Sequence, residues 1–307
     1  MTTRSPRVSI GLPVYNGGAL LARAIESYLE QDYEDLELII SDNASTDDSP
    51  EVCREAVRSD PRVRYFRCAT NEGAVANFNR AYRLARGHYF KWAAHDDWCD
   101  RSLVSRCAKV LDTTPEAVLC HSAARLVLED GSLEPLEPHH LDSPDPVKRF
   151  NHVLWRVGNT YPMFGLVRRR ALAAGPLLSR DVGSDRVLLG SLSLLGQIHQ
   201  IPDVLVYMGE ARSARVAPRD STYWAPENAN RLTLLSFRLA KGFADVVIRS
   251  GLSPADKAVL LGDIGVRYGI RNAPRLAYET YLTAGEIIHH RPYKTVVSSS
   301  GSWLHRW

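Results

Sequence analysis

The 307-residue chain is predicted to be an α/β protein, with a mainly parallel sheet flanked by helices and a helical extension at its C-terminal end. Apolar segments typical of strands and of amphipathic helices alternate through the first hundred residues, which is the order expected of a parallel sheet with crossover helices. From about residue 225 the apolar residues recur mostly at helical spacing. The composition agrees with a globular protein, since 45% of the residues are hydrophobic and 24% are charged.

Residue types mark several boundaries in the first hundred residues. Pro13 is expected to end the first strand, because proline has no N–H for a strand ladder. Ser49 is expected to cap the second helix, since proline and glutamate follow it as they commonly do at a helix start. Gly87 is expected to end the third helix. The predicted strands are 7–12, 36–41, 62–66 and 88–93, and the helices between them are 17–31, a segment from Ser49 through Val57, and a segment from Val75 to Gly87.

The rest of the chain is predicted to contain more helix than strand. Residues 129–162 are rich in Pro, Asp, Glu and His and are expected to form a long loop that leads into a helix from Val147 to Val157. A strand is expected at 201–207. Further helices are expected over 230–248, from Ser253 onward and over 274–290. We therefore divide the chain into a domain of residues 1–224, with halves 1–100 and 101–224, and a helical extension of residues 225–307.

The charge and cysteine content exclude several classes of protein. A net charge of +3 is too small to indicate nucleic acid binding. The five cysteines are odd in number and never spaced as CxxC, so neither a disulfide scaffold nor a zinc site is expected. The sequence has no apolar run approaching the ~18 residues of a membrane span and no apolar signal segment at its start. We expect a cytoplasmic protein.

The C-terminal extension is mildly basic. Residues 225–307 carry 11 Lys and Arg against 6 Asp and Glu, and they end in a segment with Arg291, Lys294, Trp303, Arg306 and Trp307. This pattern is compatible with peripheral contact with a membrane or with a homo-oligomer formed through the C-terminal helices. A solvated basic helix face is the simpler explanation and the favoured one.

Several familiar site motifs are absent from the sequence. It contains no GxGxxG after the first strand, no GxxxxGK[ST], no GxSxG and no HExxH. Dinucleotide-dependent dehydrogenases, P-loop kinases, α/β-hydrolases and HExxH metalloproteases are therefore disfavoured.

Polar segments follow all four strands of the first hundred residues. In open parallel sheets, ligands bind beyond the carboxyl ends of the strands, which is where these segments meet. Adjacent carboxylates at Asp96 and Asp97 suit a divalent cation that binds oxygen ligands and phosphate. The alternative is that the pair caps the next helix. The four segments are Pro13-Val14-Tyr15-Asn16, Asp42-Asn43-Ala44-Ser45, Asn71-Glu72-Gly73 and His95-Asp96-Asp97.

Together these segments resemble a known family. The combination VSIGLPVYNGG, LIISDNASTDDS, NEGAVANFNRAYRLARG and HYFKWAAHDDW resembles the family 2 glycosyltransferases with the GT-A fold, strongly over residues 7–100 and more weakly over 160–213. The resemblance implies a nucleotide-diphospho-sugar donor, Mn²⁺ or Mg²⁺, and transfer to an acceptor hydroxyl with inversion. The expected acceptor is a glycan, a glycolipid or a small molecule.

The resemblance also implies roles for individual residues. Asp42 would accept a hydrogen bond from the N–H of a uracil or thymine base, which points to a UDP- or dTDP-sugar. Asp97 would ligate the metal, and His95 stands where relatives often have the first acid of a D-x-D motif. The other donor-binding residues would be Pro13 and Tyr15 at the base, Asn16, Asn71 and Gly73 along the nucleotide, and Asp96 at the ribose.

An inverting transfer needs a general base for the acceptor hydroxyl. The segment 179–189 resembles the acid-bearing segment of the family, which implies Asp185, just before an apolar helical stretch, as the base, with Asp181 as the alternative. Glu210 stands where many relatives have a histidine and is a candidate metal ligand. Arg212 or Arg215 would then face the leaving phosphates.

Two other functions stay open at this point. A nucleotidyltransferase shares a similar sheet, but it usually has a glycine-rich basic loop after the first strand, and PVYNGG contains no Lys or Arg. A sugar-nucleotide-binding scaffold that has lost turnover is compatible with the departures at His95, Met208 and Glu210.

Overall fold

The computed structural model describes residues 5–181, 183–209 and 235–271, together with residues 273, 274, 277 and 280. Several predictions concern residues outside these ranges, and they stay predictions. They are the metal ligand Glu210, the basic residues Arg212 and Arg215, most of the helix over 274–290, and the basic and aromatic residues from Arg291 to Trp307.

The first hundred residues form the predicted alternation of strands and helices. The parallel strands lie in the order β3-β2-β1-β4, with helices connecting them. This order brings the ends of β1 and β2 side by side in the middle of these four strands. The elements are β1 (Val8–Val14), α1 (Leu20–Leu29), β2 (Leu36–Asp42), α2 (Ser49–Ser59), β3 (Val63–Arg67), α3 (Ala74–Leu84) and β4 (Tyr89–Trp92).

The second half extends the same sheet with mixed strand directions. The full strand order is β3-β2-β1-β4-β8-β6-β9-β5, and β7 pairs with β6. β8 runs antiparallel to β4, whereas β9 runs parallel to β6. The elements are β5 (Trp98–Cys99), α4 (Leu103–Thr113), β6 (Ala117–Val127), β7 (Leu133–Pro135), α5 (Pro146–Trp155), a 3₁₀ turn (Tyr161–Phe164), β8 (Leu166–Arg168), α6 (Arg169–Ala174), α7 (Ser184–Leu195), β9 (Gln197–Gly209), α8 (Leu235–Arg249), α9 (Pro254–Gly265) and a π-helical turn (Val266–Arg271).

The described part of the C-terminal extension packs into the core of the preceding domain. α8 lies on α7, and α9 lies on α8 and α5. The ring of Phe243 meets that of Phe150 edge-to-face at 5.7 Å between centroids. At Gly190 a Cβ would come within 2.9 Å of the Phe243 ring, so glycine lets α7 and α8 approach closely. Helices α8 and α9 therefore share a hydrophobic core with α5 and α7.

Three predicted boundaries differ from the structure. β1 continues through Pro13 to Val14. Its pairing with β4 already ends at Gly11, so the missing N–H of Pro13 interrupts no hydrogen bond to β4. Ser49 is the first residue of α2, and its hydroxyl accepts from the N–H of Gly17 at 2.9 Å. α3 ends at Leu84, before Gly87.

All five cysteines are free thiols, in agreement with the absence of a disulfide scaffold. Within the described residues, no helix has the length and apolar character needed to cross a bilayer.

Candidate active site

A cleft of about 230 Å³ lies at the carboxyl ends of the parallel strands. It brings together four of the residues that the sequence assigned to the donor, and they come from the ends of β1 and from the segment before α3. The side chain of Tyr15 is 43% exposed, so its ring is available to a ligand. The lining residues are Pro13, Val14, Tyr15, Asn43, Asn71, Gly73, Ala74, Asn77, Phe78 and His95.

Asn43 holds the loop before α3 in place. Its Nδ2 donates to Oδ1 of Asn71 at 2.6 Å and to the carbonyl oxygen of Gly73 at 3.2 Å, and its Oδ1 accepts from the N–H of Glu72 at 3.0 Å. Gly73 itself has φ of +86° and ψ of 162°, a conformation nearly confined to glycine. The shape of the cleft on this side therefore depends on Asn43 and Gly73.

The N-terminus of α3 forms part of the cleft wall. The helix begins at Ala74 directly after Gly73, and both residues line the cleft. The unpaired N–H groups of a helix start and its dipole favour a negatively charged ligand. Asn77 fixes the helix against the sheet, since its Nδ2 donates to the carbonyl oxygen of Val14 at 3.1 Å and its Oδ1 accepts from Ser41 Oγ at 2.6 Å.

Asp42 occupies the end of β2, but its carboxylate is fully buried. Oδ2 accepts from the hydroxyl of Tyr65 at 2.7 Å and from Nε of Arg67 at 3.1 Å, and Oδ1 accepts from the N–H of Ser45 at 2.8 Å. Strand β3 therefore supplies two of the three partners that fix this carboxylate, and its hydrogen bond to a base stays a prediction.

Asn16 also makes a structural contact. Its Oδ1 accepts from the N–H of Thr46 at 2.8 Å, and its own N–H donates to Ser45 Oγ at 3.0 Å. With φ of 52°, it forms the turn that ties the end of β1 to the segment after β2. Its side chain is not part of the cleft wall described above.

Asp97 is 5% exposed, and its Oδ1 accepts from the N–H of Gly209 at 3.0 Å. Burial, together with the negative charge of Asp96, raises the pKa of Asp97 to about 7. Gly209 is needed there, since a Cβ would lie 2.6 Å from the carbonyl oxygen of Asp96. The ammonium of Lys91 is also buried; it donates to the carbonyl oxygens of Trp92 and Phe164.

This donor set fits a divalent cation. A buried carboxylate that resists ionisation beside a second carboxylate would be stabilised in its charged form by a cation. Oxygen ligands are those that Mg²⁺ and Mn²⁺ prefer. Within the described ranges, no cluster of three or more His, Cys, Asp or Glu side chains could complete a protein-only metal site. Any cation here would therefore need further ligands beyond these residues, such as substrate phosphate.

Asp185 lies in the first turn of α7, preceded by Gly183 with φ of 84°. Its Oδ2 accepts from the hydroxyl of Thr160, and its Oδ1 accepts from the N–H of Arg186 at 2.9 Å. The 3₁₀ turn after Thr160 packs on both α7 and β4. This turn links the surroundings of Asp185 to the cleft, because its Phe164 ring lies 6.5 Å from that of Phe78.

Asp181 faces a different cavity. Its Oδ1 accepts from Nη1 of Arg238 at 2.8 Å, and both residues line a cavity of about 470 Å³ between the segment before α7 and helix α8. Asp181 is therefore ion-paired at this second cavity, whereas Asp185 contacts Thr160.

No site role was predicted for the cleft residues Asn43, Asn77 and Phe78, and His95 was predicted only to replace the first acid of a D-x-D motif. Asn43 and His95 belong to the polar strand-end segments, so their place in the chain gave a signal. Asn77 gave a weaker one, as a polar side chain on the buried face of an amphipathic helix.

Comparison with known proteins identifies the family. The sequence model described as Glycosyl transferase family 2 matches residues 9–175, more than half of the chain. The chain therefore belongs to glycosyl transferase family 2.

Curated relatives match over part of their length. Chondroitin synthase of Escherichia coli is 33% identical over 130 residues, which cover 42% of this chain and 19% of that protein. Hyaluronan synthase of Pasteurella multocida is 33% identical over 130 residues, which cover 42% of this chain and 13% of that protein. The chain thus spans less than a fifth of these two relatives.

Solved structures share the fold. S. aureus TarS 1-349 in complex with UDP-GlcNAc has a TM-score of 0.66 and 15% sequence identity. The match covers 89% of this chain and 79% of the TarS chain. The mannosyltransferase of Pyrobaculum calidifontis in complex with GDP-Man and Mn²⁺ has a TM-score of 0.54 and 21% sequence identity. The match covers 93% of this chain and 76% of the mannosyltransferase chain. The predicted GT-A fold is confirmed.

Proposed function

We propose that this protein transfers a sugar from a UDP- or dTDP-sugar to an acceptor hydroxyl, with inversion at the anomeric carbon and with Mn²⁺ or Mg²⁺ as cofactor. The observation that carries the proposal is the cleft at the carboxyl ends of β1 and β2 in a family 2 chain, with Tyr15 exposed on one side and the start of α3 on the other. The acceptor is a glycan, a glycolipid or a small molecule.

In this proposal the base stacks on Tyr15 beside Pro13, and the diphosphate meets the N-terminus of α3. Asp42 is proposed to accept a hydrogen bond from the N–H of the base, and Tyr65 and Arg67 hold its carboxylate at the end of β2. TarS, whose structure contains UDP-GlcNAc, supports the proposal to the extent that a chain of this fold accommodates a uridine nucleotide.

Asp97 would hold the cation, with Asp96 at the ribose, and Glu210 is proposed as a further ligand. When bound, such an ion stabilises the negative charge that develops on the leaving nucleoside diphosphate. The Mn²⁺ complex of the Pyrobaculum calidifontis mannosyltransferase supports a divalent ion in a chain of this fold.

Asp185 takes the proton from the acceptor hydroxyl as its oxygen attacks the anomeric carbon. The new C–O bond forms on the face opposite the leaving phosphate, whose bond to the same carbon breaks, so the configuration inverts. The hydroxyl of Thr160 and the N–H of Arg186 fix the orientation of the carboxylate.

Release of nucleoside diphosphate from UDP-GlcNAc and from dTDP-glucose tests this proposal, with and without Mn²⁺ and with pooled cell glycans and glycolipids as acceptors. Asp97→Asn is expected to remove the response to Mn²⁺ and to lower release at least about 100-fold. Asp185→Asn is expected to lower turnover by about 100- to 10,000-fold while leaving donor affinity within a factor of three.

Asp181→Asn is the matched control for Asp185→Asn, because it makes the same change four residues earlier. It should retain most of the turnover. Equal losses in the two variants, or full turnover in Asp185→Asn, would show that Asp185 is not the base.

A further inference from the structure

Two arginines lie against the indole ring of Trp155 at the end of α5, and a third arginine lies near them. The guanidinium carbons of Arg267 and Arg271 lie 5.2 and 5.3 Å from the centre of that ring. Arg186, from the first turn of α7, is close enough for its charge to act on Arg267. The three residues come from two distant parts of the chain, so the tertiary fold creates this basic cluster.

The cluster lacks a counter-charge within the described ranges. Arg186, Arg267 and Arg271 form no ion pair with a carboxylate there. The Nε atoms of Arg186 and Arg267 are buried without a hydrogen-bond partner among the described residues. Nη2 of Arg186 reaches the carbonyl oxygens of Val153 and Leu154 only at 3.5 and 3.4 Å.

This arrangement has an electrostatic cost. Burial lowers the pKa of Arg267, and the positive charges of Arg186 and Arg271 lower it further. The negative end of the α5 dipole offsets part of this repulsion. An oxyanion between the guanidinium groups would offset this repulsion and would accept from their terminal N–H donors.

The position of the cluster relates it to the transfer reaction. Arg186 directly follows Asp185, and the segment from Trp155 leads to Thr160, which donates to Asp185. A group bound by the arginines would therefore lie beside the proposed base, on the acceptor side.

We propose that Arg186, Arg267 and Arg271 bind a phosphate or diphosphate group of the acceptor. The inference rests on the proposed function, of which it names the acceptor class. Three guanidinium groups match the charge of a phosphate better than that of a single carboxylate, and their planar donor pairs match its oxygens. Trp155 supplies a flat apolar surface for the part of the acceptor next to that phosphate.

Titration calorimetry with inorganic pyrophosphate tests the site in the full chain, at about 0.15 M salt and with saturating UDP to fill the donor cleft. Arg267→Gln and Arg271→Gln are each expected to weaken pyrophosphate binding by about 10-fold or more. Arg249→Gln removes the same charge from α8, away from Trp155, and is expected to leave the affinity unchanged. Circular dichroism checks that each variant is folded.

Glucose 1-phosphate and decyl phosphate serve as two further probes that distinguish a soluble from a lipid-linked acceptor. Equal affinities across the arginine variants, or no binding of pyrophosphate to the unaltered chain, would overturn the inference. Donor hydrolysis by the unaltered chain is measured in parallel and tests the proposed sugar transfer alone. A failure of the phosphate site is therefore distinguished from a failure of the proposed function.

Discussion

His121 shows how burial alone sets the chemistry of one residue. Its imidazole is buried in β6, Nδ1 lies 3.0 Å from the carbonyl oxygen of Ser122, and its ring meets that of Tyr161 edge-to-face at 5.3 Å. Burial lowers the pKa of His121 to about 3, and the neighbouring His139 adds to the shift. The folded protein therefore keeps this histidine neutral at any moderate pH.

This pKa predicts a loss of stability in acid. Above about pH 6.5 the imidazole is neutral in both the folded and the unfolded chain, whereas below it only the unfolded chain gains the proton. Relative to His121→Gln, the unaltered protein should lose about 1 kcal/mol in its free energy of unfolding between pH 7.5 and pH 5.5. Urea unfolding of both proteins at the two pH values measures this difference. Parallel pH dependences would contradict it.

At the residue scale, the sequence predicted which residues line the cleft. It predicted less well which partners their side chains contact. Pro13, Tyr15, Asn71 and Gly73 do line it, because the ends of parallel strands meet by construction. The covered carboxylate of Asp42 was not predictable from its own strand, since Tyr65 and Arg67 on β3 cover it.

At the scale of elements, the segment between β3 and α3 determines one side of the cleft. Gly73 adopts a backbone conformation that other residues avoid, and the side-chain amide of Asn43 donates to its carbonyl oxygen. Gly73→Ala should lower stability by about 1–3 kcal/mol and weaken donor binding about 10-fold.

Gly131→Ala is the matched control for Gly73→Ala. Gly131 also has a positive φ, +82°, but it lies in the turn before β7 with nothing within 4 Å of a new Cβ. The two variants should lose similar stability, measured by thermal unfolding, and only Gly73→Ala should lose affinity for UDP-GlcNAc in calorimetry. Equal affinities would show that the loop before α3 does not shape the donor site.

Elements were predicted well where the pattern is local. The strands and helices of the first hundred residues follow apolar periodicity, with ends that differ by a few residues. The segment 129–162 was harder, because its short strand β7 and the burial of His139 depend on contacts with β6 and Asn159 that no local pattern encodes.

At the scale of the whole molecule, a parallel half that carries the cleft is continued by a mixed half that carries Asp185. The two halves share one sheet, and helices α8 and α9 pack on the second half. The basic cluster around Trp155 exists only in this assembled form, since Arg186 and Arg267 are brought together by the packing of α5 against α7 and α9. Sequence spacing alone could not predict it.

The central claim is that the cleft beside Tyr15 binds a nucleotide sugar, and the affinity for UDP-GlcNAc or dTDP-glucose in the presence of Mn²⁺ tests it most directly. Calorimetry should show Tyr15→Ala binding at least one of these donors about 10-fold more weakly than the unaltered chain, because stacking on the base is lost. Phe237→Ala, which removes an aromatic ring that is 51% exposed on α8, should bind it as tightly as the unaltered chain. Absence of binding to the unaltered chain, or equal affinities in all three proteins, would contradict the account.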